Sequence, residues 1–404
     1  MKLLPRPLPW PLLLSFGVMG VLCGAPHSAS ADVVLHEEQV TQVEGGESPE
    51  SLWVSQEELA RISGFVLKEQ GLCLEDLCVP VGSDDGELVR RGEGAPRIDV
   101  AALARRLRQP YALDREERVW SFGPVPVTQR AFLERAQAPD FELADRFGRP
   151  WRLSEHRGTK LVLVVWASWC ACREDLVVWE KLYRELRERG VEIVAIAEDA
   201  GGLEAAGPYI EAADTTHTSL IDPSHAVTAA FGLVNVPTAI WIDETGTIVR
   251  LDDGAYPEQR TILGVRVGAE GYADALRDWV TRGSESAVAL SPEALTASLR
   301  RPTPEVELAD QEFRLGAYFH AQGDLDRATT HWERAAQLAP DNWNYRRQEW
   351  ADSGFESTVK FLSRAFGRGV RGVPYYAPIE LPVLGERSPG TDAEAAEPSP
   401  SSAD

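Results

Sequence analysis

Two cysteines one residue apart, Cys170 and Cys172 in "WASWCACRED", are the residues of this chain best suited to chemistry. The thiolate form of cysteine attacks disulfides and also acts as a soft metal ligand. A thiol at the first turn of a helix meets unpaired backbone N–H groups and the positive end of the helix dipole, both of which favour thiolate. The apolar run "KLVLVVW" just upstream reads as a buried strand, and Leu176, Trp179, Leu182, Tyr183 and Leu186 downstream recur at helical spacing, so Cys170 is expected at a strand-to-helix junction. The spacing itself is unusual. Residues at i and i+2 do not face each other on a helix, so the pair closes only if Cys170 and Ala171 lie outside regular helix. The ring so formed has about 11 atoms, a tight fit that predicts easy reduction.

A second pair, Cys73 and Cys78, flanks four residues in "GLCLEDLCVPV". A structural disulfide closing a small hairpin is expected there, with a second redox pair as the alternative. Cys23, the fifth cysteine, falls in an N-terminal segment with Lys2 and Arg6, the apolar stretch "WPLLLSFGVMGVL" and "ASA" before Asp32. That is the layout of a secretory signal over residues 1–31, so the chain is expected to be exported to a periplasmic or other extracytoplasmic space. Membrane contact is expected only if the signal stays uncleaved. The remaining cysteines are then an even set suited to an oxidising compartment.

The elements that must hold these residues can be traced along the 404-residue chain. Residues 32–50 are acidic and read as a linker. Residues 51–123 read as a small α+β domain in which a strand-helix unit is duplicated, with Ser55 and Asp99 as helix caps. These units faintly resemble the N-terminal stalk domains of copper amine oxidases, a likeness of shape only. The Pro-punctuated stretch "GPVPVTQRAFLERAQAPD" reads as a further linker. Residues 139–282 alternate buried strands and amphipathic helices, an α/β domain with a mixed sheet and helices on both faces. Over 309–342, Leu315, Gly316, Phe319, Ala328, Trp332, Ala335 and Pro340 fit the tetratricopeptide pattern of about 34 residues, giving an α-helical segment at 300–352. One such repeat cannot bury its own face, so it is expected to pack on the central domain or a partner. Residues 385–404 are rich in Ser, Pro and Glu and read as a disordered tail.

Three stretches, "FELADRFGRPWRLSEHRG", "LVLVVWASWCACRE" and "FGLVNVPTAIWIDETGTIV", resemble the thioredoxin-fold redoxins of the TlpA/ResA-like extracytoplasmic group, which is related to AhpC/TSA proteins. The resemblance covers 139–282. It implies thiol-disulfide oxidoreductase activity on protein substrates, with Cys170 as an exposed nucleophile, Cys172 as the resolving cysteine, and Pro237 in a cis bond facing the pair. A cis bond there leaves the Val236 peptide free to pair with an extended substrate, so Val236, Pro237 and the neighbouring Trp169 are expected to bind it. One departure is the single residue between the cysteines where relatives have two. Another is Val164, at the strand position where cytosolic thioredoxins keep a buried acid, which leaves Glu174, Glu198 and Asp199 as candidate proton acceptors.

Other functions are weighed on the same residues. The formal charge of −22 argues against nucleic acid as a partner. A peroxidase lacks the expected Pro and Thr upstream of the cysteine, where "WASW" stands. A copper metallochaperone would use both thiolates with His217 or His225 as a third ligand. A non-catalytic scaffold would bind a protein partner through the helical repeat. No phosphate-binding loop, Ser-His-Asp arrangement or zinc quartet is present in the sequence, so no cofactor and no resident metal are expected.

Overall fold

The apolar residues of "DVVLH" and "QVTQV" form a hairpin of β1 (Asp32–His36) and β2 (Gln39–Val43). The linker expected at 32–50 is therefore corrected over its first part. Val34, Leu35 and Val43 are buried, and the buried carboxylate of Asp32 is paired with Arg118, so the acidic composition does not keep the segment out of the fold. The structure, a computed structural model, describes residues 31–384 apart from 45–47, 49, 83–84, 93, 263–264, 352–353 and 371–373. The signal at 1–31, all but Ala31, and the tail at 385–404 lie outside the described residues.

Next come β3 (Trp53–Ser55), α1 (Gln56–Ser63), β4 (Val66–Lys68), β5 (Gly71–Leu74), β6 (Leu77–Val79), β7 (Val89–Arg90), β8 (Arg97–Asp99) and α2 (Val100–Leu107). A capping box between Ser55 and Glu58 starts α1, and Asp99 starts α2 by accepting from Ala101 N. The hairpin of β9 (Tyr111–Asp114) and β10 (Val119–Phe122) completes a sheet of order β2-β1-β10-β9, in which β1 runs parallel to β10. The segment read as a second linker holds a 3₁₀ turn at Pro126–Gln129 and α3 (Arg130–Arg135). Phe132 of α3 is buried edge-on against Phe231 at 5.9 Å between ring centroids, an anchor that Pro-rich composition does not reveal.

The central sheet uses β11 (Glu142–Asp145), β12 (Pro150–Arg152), β13 (Lys160–Trp166), β14 (Val191–Ala197), β15 (Thr218–Ile221), β16 (Thr238–Ile242) and β17 (Ile248–Asp253) in the order β12-β11-β15-β14-β13-β16-β17. β13 is an interior strand, parallel to β14 and antiparallel to β16. Leu161 to Trp166 are buried on both faces, as a near-continuous apolar run requires. α4 (Leu176–Leu186), α5 (Gly202–Ala212), α6 (Ala226–Phe231) and α7 (Tyr272–Arg282) belong to this unit, and the small β18 (Arg260–Ile262) and β19 (Val265–Val267) hairpin precedes α7. The architecture is α/β and thioredoxin-like.

After α8 (Pro292–Ser298), α9 (Pro304–Ala321) and α10 (Leu325–Leu338) pack against one another. Gly316 lets them cross closely, because a Cβ there would stand 2.4 Å from the Trp332 ring. Their apolar face is covered within the chain by Leu35, Ala112 and Val119 of the N-terminal sheet together with Ala200. α11 (Trp343–Ala351) and α12 (Phe355–Val370) follow.

Candidate functional site

Cys170 and Cys172 are disulfide-bonded, with Cα atoms 5.1 Å apart. Cys170 itself has extended backbone (φ −95°, ψ 139°) and caps a 3₁₀ turn at Ala171–Asp175, and the regular helix α4 begins only at Leu176. This corrects the placement of Cys170 at the first turn of an α-helix. The donor that reaches its sulfur is local: Cys172 N lies 3.2 Å from Cys170 Sγ. The extended backbone of Cys170, outside the turn, lets residues two apart approach, which regular helix forbids.

The Val236–Pro237 peptide is cis, and the Val236 carbonyl oxygen is 3.6 Å from Cys170 Sγ. Two expectations are corrected here. The Val236 peptide is not free, since its N–H donates to Asn235 Oδ1 at 3.0 Å and its carbonyl accepts from the Tyr376 hydroxyl at 2.9 Å. Nor is Cys170 exposed: it retains 1% of its accessible surface and Cys172 3%. Trp169, partly buried, donates from Nε1 to Gln348 Oε1 at 3.1 Å.

Three arginines surround the cysteine turn, and sequence reasoning missed all of them. Arg173 donates to Ser168 O, Arg260 to Ala171 O at 2.8 Å, and Arg347 to Trp169 O at 2.6 Å. Each guanidinium is fixed to a backbone carbonyl of the turn, which sets positive charge beside the cysteine pair. Arg260 also reaches Asp175 Oδ2 at 3.0 Å. Asp175, three residues beyond Cys172, is 3% exposed, and burial pushes its carboxyl up to about 7 against the pull of Arg260. Its charge at the head of an otherwise apolar helix face was the available signal.

The proposed acceptors divide. Glu174 points to solvent, while Asp199 is buried, holds Ser168 N at 2.9 Å, and is lifted by burial to about 6. Glu198 is fully buried, raised by burial and by the Asp222 charge, and fixed by Thr228 and Asn344. His225 packs against Phe313 at 4.3 Å and His217 against Tyr183 at 6.0 Å. Among the described residues no group of three or more His, Cys, Asp or Glu could hold a metal ion, and the two cysteines weighed as copper ligands are bonded to each other. The other pair, Cys73 and Cys78, is bonded across the β5–β6 hairpin, where the two stand directly opposite with Cα atoms 4.1 Å apart.

A mixed sheet with β13 in its interior, a cysteine pair beyond the end of that strand and a cis-proline loop beside it define a thioredoxin-fold protein. The AhpC/TSA family matches residues 135–251. Thiol-disulfide oxidoreductase ResA of Geobacillus thermodenitrificans is 31% identical over 123 residues, which are 30% of this chain and 70% of that protein. ResA of Halalkalibacterium halodurans is 33% identical over 124 residues, with the same coverage of 30% and 70%. The chain belongs to this family of AhpC/TSA thioredoxin-fold proteins. A crystal structure of a secreted disulfide oxidoreductase from Mycobacterium tuberculosis is 20% identical, covers 37% of this chain and 97% of its own, and aligns with a TM-score of 0.29. Among the described residues no helix is long and apolar enough to cross a membrane.

Proposed function

We propose that this chain is an extracytoplasmic thiol-disulfide oxidoreductase whose working pair is Cys170 and Cys172. In the reductive direction the Cys170 thiolate attacks one sulfur of a client disulfide, the client's other sulfur leaves as thiolate and takes a proton, and a mixed disulfide forms. Cys172 then attacks Cys170 Sγ, the client leaves with both sulfurs reduced, and the Cys170–Cys172 bond takes up the oxidised state. Run backwards, the same steps oxidise a client.

The observation that carries this reading is the bonded pair beside the cis Val236–Pro237 loop, ringed by guanidinium groups. Cys170 is the entering nucleophile because Cys172 N–H aims at its sulfur. Val236, Pro237 and Trp169 form the client-facing wall. Cys73–Cys78 acts as a structural clasp on its hairpin. Export rests on the signal-like N-terminus and on two disulfides that an oxidising compartment preserves. Because the inner face of α9 and α10 is covered by the chain itself, the redox loop, rather than the helical repeat, is the favoured point of client contact.

The test is a titration of the mature protein in glutathione buffers, with thiols counted by alkylation and peptide mass spectrometry, beside Cys170→Ser and Cys172→Ser variants. The two sulfurs should interconvert as a pair. Cys172→Ser should accumulate mixed disulfides with a protein client, and Cys170→Ser should accumulate none. Independent reactivity of the two sulfurs at every glutathione ratio would overturn the proposal.

A further inference from the structure

The burial of Cys170 has a definite source in the chain. Trp343 N of α11 donates to Val234 O at 2.6 Å, ahead of the cis-proline loop. One turn on, the Arg347 guanidinium lies 4.7 Å over the Trp169 ring and donates to the Trp169 carbonyl, while Gln348 Oε1 accepts from both Trp169 Nε1 and Ala200 N at 3.1 Å. Further along, Tyr375 and Asn235 exchange two hydrogen bonds, from the Tyr375 hydroxyl to Asn235 Oδ1 at 2.9 Å and from Asn235 Nδ2 to Tyr375 O at 3.2 Å. Tyr376 completes the cover by donating to Val236 O. Gly254, with φ +76°, is what allows the Tyr376 ring this seat, since a Cβ there would come within 2.7 Å of it.

These contacts take the positions that a client would need. An extended segment docking beside Cys170 requires the Val236 carbonyl, the face of Trp169 and a path to the sulfur. The first two are held by the chain's own C-terminal part. The grip on the loop combines single hydrogen bonds and a cation–π contact, each of modest net strength because water or another polar group can replace it, with packing of the Tyr376 ring edge-on to Tyr256 at 5.9 Å between ring centroids. An incoming backbone N–H can replace the Tyr376 hydroxyl at Val236 O without leaving a buried acceptor unpaired.

We infer that α11 together with Tyr375 and Tyr376 is a strap that closes the Cys170–Cys172 site in the client's place, and that exchange with a protein client requires the strap to leave. The inference rests on the redox reading above for the identity of the occluded group. In a two-state opening, the rate of any reaction at Cys170 scales with the fraction of open molecules, so loosening the strap raises that rate in proportion.

The experiment compares the full mature chain with Tyr376→Phe, which keeps the ring and removes the bond to Val236 O, and with Arg347→Ala, which removes the contacts to Trp169. Two rates are read: alkylation of reduced Cys170 by iodoacetamide, followed by peptide mass spectrometry, and disulfide exchange with insulin as the protein client. Thermal unfolding verifies that each variant is folded. Both rates should rise roughly fivefold to tenfold in each variant. Alkylation and exchange at the parent rates in both folded variants would overturn the strap. Faster alkylation without faster exchange would support the strap while refuting the assignment of Cys170 as the client-attacking thiol.

Discussion

Replacing Arg260 by Met removes the guanidinium that stands 3.0 Å from Asp175 Oδ2 and donates to Ala171 O. Burial raises the Asp175 carboxyl to about 7 even with Arg260 in place, so without it the group takes up a proton rather than standing as a bare buried charge. The cost of the substitution therefore depends on pH. At pH 6 Asp175 is mostly protonated in the native state of both proteins, and the variant loses chiefly the charge-assisted bond to Ala171, about 1.5–3 kcal/mol. Above pH 7 the parent native state releases this proton, as the unfolded chain does, and its stability no longer changes on this account. The variant keeps the proton in the native state only. A raised carboxyl pKa gives stability that is full at low pH and lost as pH climbs toward the folded value, so above pH 7 the variant loses further stability, by up to about 1.4 kcal/mol per unit. Urea unfolding of both proteins at pH 6 and pH 9 measures the difference, and Asp175→Asn added to Arg260→Met should erase the extra loss at pH 9. An equal loss at the two pH values, or a double variant that keeps the alkaline penalty, would refute the reasoning.

The buried Asp222, raised by burial to about 7, should take stability from the parent chain as pH rises from about 5 to 7, a loss complete above pH 7, while the neutral buried His36 and His225 act with opposite sign below about pH 6.5. Asp222→Asn should flatten that decline by up to about 1.4 kcal/mol per pH unit in urea unfolding, and an unchanged slope would count against a protonated Asp222. Gly316→Ala places a methyl 2.4 Å from the Trp332 ring and 3.0 Å from Ala328 O, so the gain of about 1 kcal/mol in helix preference should be outweighed by overpacking. A net loss of about 1–2 kcal/mol is expected, and a melting temperature at or above the parent's would show that α9 and α10 do not cross so closely.

The parts legible from sequence are those written in short-range pattern. The apolar run at 160–166 announces the interior strand β13, and the alternation of strands and helices around it announces the mixed sheet. The spacing of Cys170 and Cys172 allows closure only outside regular helix, and Cys170 is extended ahead of the 3₁₀ turn. Ser55 and Asp99 cap the helices at which they were placed because a capping residue acts on its own neighbours. Composition misled where a few residues outweighed it, as with Asp32, whose charge is matched by Arg118 some 86 positions away, and Phe132, a single buried ring in a Pro-rich stretch. Arg260 and Arg347 were invisible for the same reason: nothing within a helical turn of either names Ala171 or Trp169 as its partner.

That pattern bears on how the site should be divided. The family match ends at residue 251, and within it lie the cysteine pair, Trp169 and the cis-proline loop. Arg260, Arg347, Gln348 and Tyr376, which set the charge around the cysteine turn and cover it, all lie beyond that point. Attack and resolution between sulfurs need only the matched core, because both thiols and the cis loop are there. Access and charge involve the rest, because a cysteine that is 1% exposed reacts no faster than its cover opens. A core cut at 251 would thus keep both thiols but lose Arg260 and the cover, so the whole chain is the unit whose exchange chemistry should be measured.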